Sequence, residues 1–193
     1  ALCEAQGSKP LVVNRDYHLP SFVGNRTLVF ATSYSGNTEE TLSAYEDAKK
    51  RGAKVIALTS GGALSEQAKS HGDPIIFIPA GHPPRTALGY LMVPIVVCLE
   101  RFGVLPPQPW GDALRTLGQC LQLWTVESPM EDNPAKKMAV ALHESVSVLY
   151  GLGGWQSVVA NRWKGQINEN AKAMTFANAF PELCHNEILG WVK

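Results

Sequence analysis

Residues 28–52 read LVFATSYSGNTEETLSAYEDAKKRG. The stretch opens with an unbroken apolar run, TLVFATS from residue 27, of the kind a strand covered on both faces requires. It continues as a helix from about Thr38 to Arg51. Leu42, Tyr45 and Ala48 recur there at helical spacing, and Gly52 supplies the stop. Between the two lies a knot of small polar residues: Ser33, Ser35, Gly36, Asn37 and Thr38. No lysine accompanies them.

A turn that feeds a helix from a parallel strand stands where such sheets bind ligands, outside the carboxyl ends of the strands. The first turn of the helix leaves N–H groups without intrahelical acceptors and carries the positive end of the macrodipole. A phosphate can accept those N–H bonds, and small residues let the backbone approach it. Ser33, Ser35 and Thr38 add hydroxyl donors, and Gly36 permits the sharp turn. Each neutral donor contributes about 1 kcal/mol net, more toward a charged acceptor, so five or six of them hold a phosphate without lysine. The patterns G-x-x-x-x-G-K-[ST] and G-x-G-x-x-G are both absent, which favours a small phosphorylated metabolite over a nucleotide. The same residues also fit a plain helix start, with Asn37 as cap and Glu40 closing a capping box. Glu39 and Glu40 would repel a phosphate unless they point away from it.

Working outward, the rhythm of apolar run, turn and amphipathic helix repeats. PLVVNR (10–15), KVIALTS (54–60) and PIIFIPA (74–80) read as further strands. GGALSEQAKSHG (61–72) reads as a short helix closing on Gly72, and Pro84 opens a long helix through Phe102. Residues 106–133 form a proline-rich link followed by a helix from about Asp112 to Thr125. A second unit then begins: helix PAKKMAVALHE, strand SVSVLYGLG, helix GWQSVVANRWKGQINENAK, strand AMTFANAF and helix LCHNEILGW. Alternation over short turns implies α/β architecture, a doubly wound parallel sheet. The expected organisation is a first domain over 1–105, a linker over 106–133, and the start of a second domain over 134–193. Gly151, Gly153 and Gly154 fit a turn first and a second anion nest second.

Lysine plus arginine and aspartate plus glutamate each number 17 in 193 residues, a formal balance of zero. That removes the simplest electrostatic case for nucleic acid or an anionic membrane as partner. The longest apolar stretch, LGYLMVPIVVCLERFG, meets a proline and charge too soon to cross a bilayer. Cys3, Cys98, Cys120 and Cys184 are scattered and read as free thiols of a reducing compartment, hence a cytoplasmic protein. Both ends look cut: the chain starts without methionine, and HNEILGWVK stops within a helical pattern.

SYSGNTEET resembles the phosphate-binding turn of the sugar isomerase (SIS) domain superfamily. PPRTALGYL (83–91), NENAK (168–172) and HNE (185–187) narrow the resemblance to the bifunctional phosphoglucose/phosphomannose isomerases. The likeness runs through nearly the whole chain. It implies a SIS, flavodoxin-like fold and interconversion of glucose 6-phosphate or mannose 6-phosphate with fructose 6-phosphate, with no metal or other cofactor. It further implies Glu169 as the base that shuttles a proton between C1 and C2, His185 as the ring-opening group, and Arg85 near the reacting carbons. The histidine of that superfamily can reach a neighbouring subunit's site, so a homodimer is implied. A glycine-serine turn before residue 1 and a lysine region beyond residue 193 complete the family's site, so the fragment as given is expected to be catalytically incomplete.

Taken singly, Glu169 and His185 would read as ordinary solvated helix residues. Arg85, in the first turn of a helix, sits where the dipole disfavours a cation. His82 shares its loop without an assigned role, and Arg162 and Lys164 read as surface charge. Two alternatives stay open: another SIS sugar-phosphate isomerase, and a non-catalytic sugar-phosphate-binding module of a regulator.

Overall fold

A computed structural model describes residues 2–192. The chain divides into two compact units, Ser8–Pro106 and Pro107–Lys193, the latter joined by Ala1–Gly7.

In the N-terminal unit three strands, β1 (Leu28–Thr32), β2 (Lys54–Thr59) and β3 (Ile75–Phe77), form a parallel sheet in sequence order. Leu28 pairs with Lys54 and Thr32 with Leu58; Ala57 pairs with Ile75 and Thr59 with Phe77. β2 is the central strand, and Val55, Ala57, Leu58 and Thr59 are all buried, as covered parallel strands require. Two helices pack on this sheet: α2 (Glu39–Lys50) and α3 (Gly62–His71), following a short α1 (Leu2–Gln6) in the other unit. Tyr45 and Ala48 turn the buried stripe of α2 onto Ala31, Val55 and Ala57. α3 ends where Gly72 enters the left-handed region at φ 69° and Asp73 N–H returns to Ala68 O at 2.9 Å, the closure only glycine makes cheaply.

Polar ties then fix the helices. Tyr45 is fully buried, and its hydroxyl donates to Asp73 Oδ2 at 2.6 Å while Lys49 Nζ donates to Asp73 Oδ1 at 2.7 Å. His71 Nδ1 lies 3.0 Å from both Tyr45 Oη and the Gln67 carbonyl. Because the phenol proton is already committed to Asp73, the imidazole is the donor on that side. Burial and the Asp73 carboxylate both push the Tyr45 phenol well above its usual range. Arg51 holds Asp47 through two bonds of 2.8 and 2.7 Å, and Asp47 Oδ2 accepts Leu19 N–H at 3.0 Å. This pins the segment before β1 to the end of α2.

α4 (Leu88–Arg101) closes the N-terminal unit. The expected single helix from Pro84 is instead a 3-10 turn, Pro84–Thr86, followed by α4. Thr86 donates both its N–H and its hydroxyl to Pro83 O at 2.9 Å, and this local turn competes with helical hydrogen bonding. Residues 10–15 form no strand. Val12 and Val13 are 60% and 67% exposed, and no strand pairs with them among the described residues; apolar composition alone does not make a strand without a ladder partner.

In the C-terminal unit α5 (Trp110–Leu123) and α6 (Pro134–Leu142) precede β4 (Ser147–Gly151), α7 (Gly154–Gln166) and β5 (Thr175–Ala179). β4 and β5 pair in parallel from Ser147 with Thr175 to Gly151 with Ala179. Asn133 starts α6 by accepting Lys136 N–H at 3.1 Å, ahead of Pro134, the N-cap and first-turn proline arrangement. A side chain at Gly151 would sit 2.5 Å from Ser157 backbone, so α7 rides directly on the end of β4. The expected final helix is two 3-10 segments, Glu182–His185 and Glu187–Trp191. Asn186, at φ −148°, breaks it and caps the second piece by accepting Glu187 N–H at 2.6 Å.

Replacing Tyr45 by Phe leaves Asp73 without its phenol donor and is expected to lower the unfolding free energy by about 1–3 kcal/mol. Urea denaturation of the two proteins side by side measures it.

Candidate functional site

The loop between β1 and α2 is built by its own hydrogen bonds. Ser33 is 4% exposed, and its hydroxyl accepts Gly36 N–H at 3.0 Å. Ser33 Oγ and Thr38 Oγ1 lie 2.8 Å apart. One proton occupies that contact, so one of the two hydroxyls keeps a proton for another acceptor. Donation from buried Ser33 to exposed Thr38 leaves the outer hydroxyl free to donate and strands nothing inside. Ser35 is exposed and its hydroxyl accepts Asn37 N–H at 3.2 Å.

Glycine is required twice where this loop meets the next. Gly36 has φ +73°, and a Cβ there would lie 1.8 Å from Gly61 O. Gly62 has φ +71°, and its Cβ would lie 2.4 Å from Ser35 O. The two loops are bonded as well: Leu64 N–H donates to Gly36 O at 2.9 Å, and Ala63 N–H to Asn37 Oδ1 at 3.0 Å.

That last bond settles only the capping alternative for Asn37. Its side chain serves α3 rather than capping α2. The N-cap is Thr38, and its side chain makes no capping bond, so the capping-box alternative does not form. Helix geometry leaves the N–H groups of Glu39, Glu40 and Thr41 without intrahelical acceptors. An outward hydroxyl beside amides at a helix start is the donor set that an anion accepts from. Glu40 first, then burial and Glu39, raise the Tyr17 phenol above its usual range. Both first-turn carboxylates are therefore close to Tyr17.

Arg85 lies in the same unit, exposed in the 3-10 turn Pro84–Thr86. Glu169 and His185 lie in the C-terminal unit. Glu169 occupies a π-helical turn, Ile167–Ala171, that extends α7; such wide turns recur at functional sites. Asn168 ties the turn to β5 by accepting Thr175 N–H at 2.9 Å, and Thr175 is 1% exposed. Lys172 ends the turn in the left-handed region at φ 56°, with Nζ donating to Glu169 O at 2.6 Å. A non-glycine residue there is costly and persists only when its surroundings demand it. Glu169 is thus exposed on a turn braced from both sides.

His185 is the exposed last residue of the first C-terminal 3-10 segment. The residue that organises this segment escaped the sequence reading. Glu187 accepts from Tyr150 Oη at the end of β4 and from Asn178 Nδ2 on β5. Trp191 Nε1 donates to Tyr150 Oη at 2.8 Å. The Asn178 and Tyr150 donors hold the Glu187 carboxyl below the usual glutamate range, against a smaller desolvation cost. Its signal was present in HNE, but an acid two residues from a histidine shows its anchoring role only when the fold places strand ends beside it. The described residues contain no group of three or more His, Cys, Asp or Glu side chains suited to a metal, and no helix long and apolar enough to cross a membrane. The four cysteines are free thiols.

Residues 17–87 match the SIS domain, and residues 131–193 match the bacterial phospho-glucose isomerase C-terminal SIS domain. A bifunctional phosphoglucose/phosphomannose isomerase of Caldicellulosiruptor bescii is 46% identical over 183 residues, 94% of this chain and 54% of that protein. The chain is a SIS-domain relative of the bifunctional phosphoglucose/phosphomannose isomerases. A D-glucosamine-6-phosphate 4-epimerase of Sulfolobus acidocaldarius is 31% identical over 173 residues, 86% of this chain and 51% of that protein. Among solved structures, a glucosamine-6-phosphate deaminase of Thermotoga maritima shares the fold with a TM-score of 0.66 at 18% identity, covering 88% of this chain and 50% of its own. The chain spans about half the length of the curated relatives it matches.

Two outcomes follow from the geometry. Gly36→Ala places a Cβ against Gly61 O, on top of a left-handed penalty of roughly 1–2 kcal/mol, and should abolish binding of inorganic phosphate in a calorimetric titration. For Glu187, a depressed native value means that its stabilisation is complete above the ordinary glutamate value of 4.5 and is lost as pH falls through the native one. Amide protection factors across residues 182–191 should therefore decline below that value in the native protein, and Glu187→Gln should remove this pH dependence.

Proposed function

We propose that the full-length protein is an aldose–ketose isomerase that interconverts glucose 6-phosphate, mannose 6-phosphate or both with fructose 6-phosphate. The observation that carries the reading is Glu169, an exposed carboxylate on a π-helical turn fixed by Asn168 and Lys172. An acid meant only for solvation has no need of that brace.

In this reading the loop Ser33–Thr38 anchors the phosphate through the Ser35 and Thr38 hydroxyls and the first-turn amides of α2. Ser33 and Gly36 hold the shape, and Asn37 ties it to α3. His185 opens the sugar ring by moving the proton between the ring oxygen and the C1 hydroxyl, and imidazole titrates in the range that task needs. Glu169 takes the proton from C2 of the open aldose, and a cis-enediolate forms. The same carboxylate returns the proton to C1, while the hydroxyl proton passes from O2 to O1, so the ketose is produced with atoms and charge conserved. Arg85 supplies cationic donors to the two enediolate oxygens, a role that needs no metal. The protein acts in the cytoplasm as a homodimer.

The 31% identity to a sugar-phosphate 4-epimerase favours a second reading, chemistry at another carbon of the same substrate class. Product analysis separates the two.

The test is a coupled assay of the full-length protein with both aldose 6-phosphates, together with exchange of the C1–C2 proton into deuterated water. Glu169→Gln should lower exchange by about 10²- to 10⁴-fold with little change in sugar-phosphate binding, and undiminished exchange removes Glu169 from the role of base. Chelator treatment should leave the rate unchanged; a chelator-sensitive rate contradicts the metal-free mechanism.

A further inference from the structure

Tyr34 stands between Ser33 and Ser35, the two serines of the phosphate loop. Its contacts reach all three loops at the carboxyl ends of the N-terminal sheet. The Tyr34 carbonyl accepts Ser60 N–H at 3.0 Å and Ser60 Oγ at 2.6 Å, from the loop after β2. The Tyr34 hydroxyl donates to Pro79 O at 3.0 Å and accepts His82 N–H at 2.8 Å, from the loop after β3. The residue itself is part of the loop after β1.

The path from His82 to Arg85 is short and stiff. Pro83 and Pro84 intervene, and each fixes its own φ. Thr86 closes the turn by donating its N–H and hydroxyl to Pro83 O at 2.9 Å. His82 also lies against Tyr90 of α4, with ring centroids 5.4 Å apart. Fixing His82 N–H therefore fixes where the Arg85 turn begins.

We propose that Tyr34 is a positioning residue: its phenol ties the Arg85 turn to the phosphate loop and so sets where the guanidinium meets the substrate. The inference rests on the isomerase reading for its catalytic consequence, but not for the tether itself. The phosphate loop has its own supports in Ser33, Gly36 and Asn37. Loss of the phenol hydroxyl therefore loosens the start of the Arg85 turn at His82 without dismantling the anion cradle. A misplacement of about 1 Å is enough to cost a large factor in rate while binding survives.

The experiment compares wild-type and Tyr34→Phe full-length protein, a substitution that keeps the ring and removes only the hydroxyl. Amide exchange in residues 79–87 should quicken by about two- to tenfold, with exchange in β1 and β2 unchanged. The inhibition constant of inorganic phosphate should stay within about twofold, and kcat should fall by about 10- to 100-fold. Unchanged exchange in 79–87 overturns the proposal. An unchanged kcat overturns it too, as does a loss confined to KM and phosphate inhibition. If wild-type protein converts neither aldose phosphate, the isomerase reading fails, and the exchange comparison alone decides whether the tether exists.

Discussion

The loops at the carboxyl ends of β1 and β2 depend on one close approach, that of Gly36 to the backbone of Gly61. No side chain fits at Gly36, where a Cβ would come within 1.8 Å of a carbonyl oxygen. Because the loops touch backbone to backbone, they can share hydrogen bonds: Gly36 O with Leu64 N–H, and Asn37 Oδ1 with Ala63 N–H. These bonds hold the two loops to one another without any further partner. Preorganisation of this kind spares the cost of ordering a flexible loop on binding. It also divides labour among the hydroxyls. Ser33 is spent on the interior, and Thr38 remains turned to solvent.

The C-terminal unit solves a parallel problem with different chemistry. Its two-stranded sheet presents Tyr150 and Asn178 at the strand ends, and these grip Glu187. The grip fixes a segment whose backbone has no long helix to stabilise it. At the opposite end of β5, Asn168 and Lys172 hold the turn that carries Glu169. In both places the exposed residue with candidate chemistry lies close in sequence to a residue whose side chain is bonded to the sheet. Candidate and supporting residues are close in sequence, 168 beside 169 and 187 near 185.

This adjacency explains what could and could not be read from the amino-acid order. Central strand β2 and helices α2 and α3 were legible because their signals are local: an apolar run, helical periodicity, and Gly52 and Gly72 as stops. Residues 10–15 misled for the opposite reason, since a strand exists only with a neighbour and composition cannot supply one. The helices expected after Pro84 and around HNE were split by side-chain bonds of Thr86 and Asn186 to nearby backbone, which periodicity does not register. Within the site, the hydroxyl cluster was evident from its residue types. The attachment of Asn37 to α3 depends on Ala63, 26 positions further along the chain, beyond the reach of local pattern.

The most direct measurement is a crystal structure of the full-length protein with fructose 6-phosphate bound. The phosphate oxygens should lie within hydrogen-bond distance of Thr38 Oγ1, the Ser35 hydroxyl and the first amides of α2, with Ser33 Oγ still accepting from Gly36 N–H. Phosphate density seated elsewhere, or a loop that must rebuild to admit it, would contradict a cradle formed in advance by the Gly36–Gly61 contact.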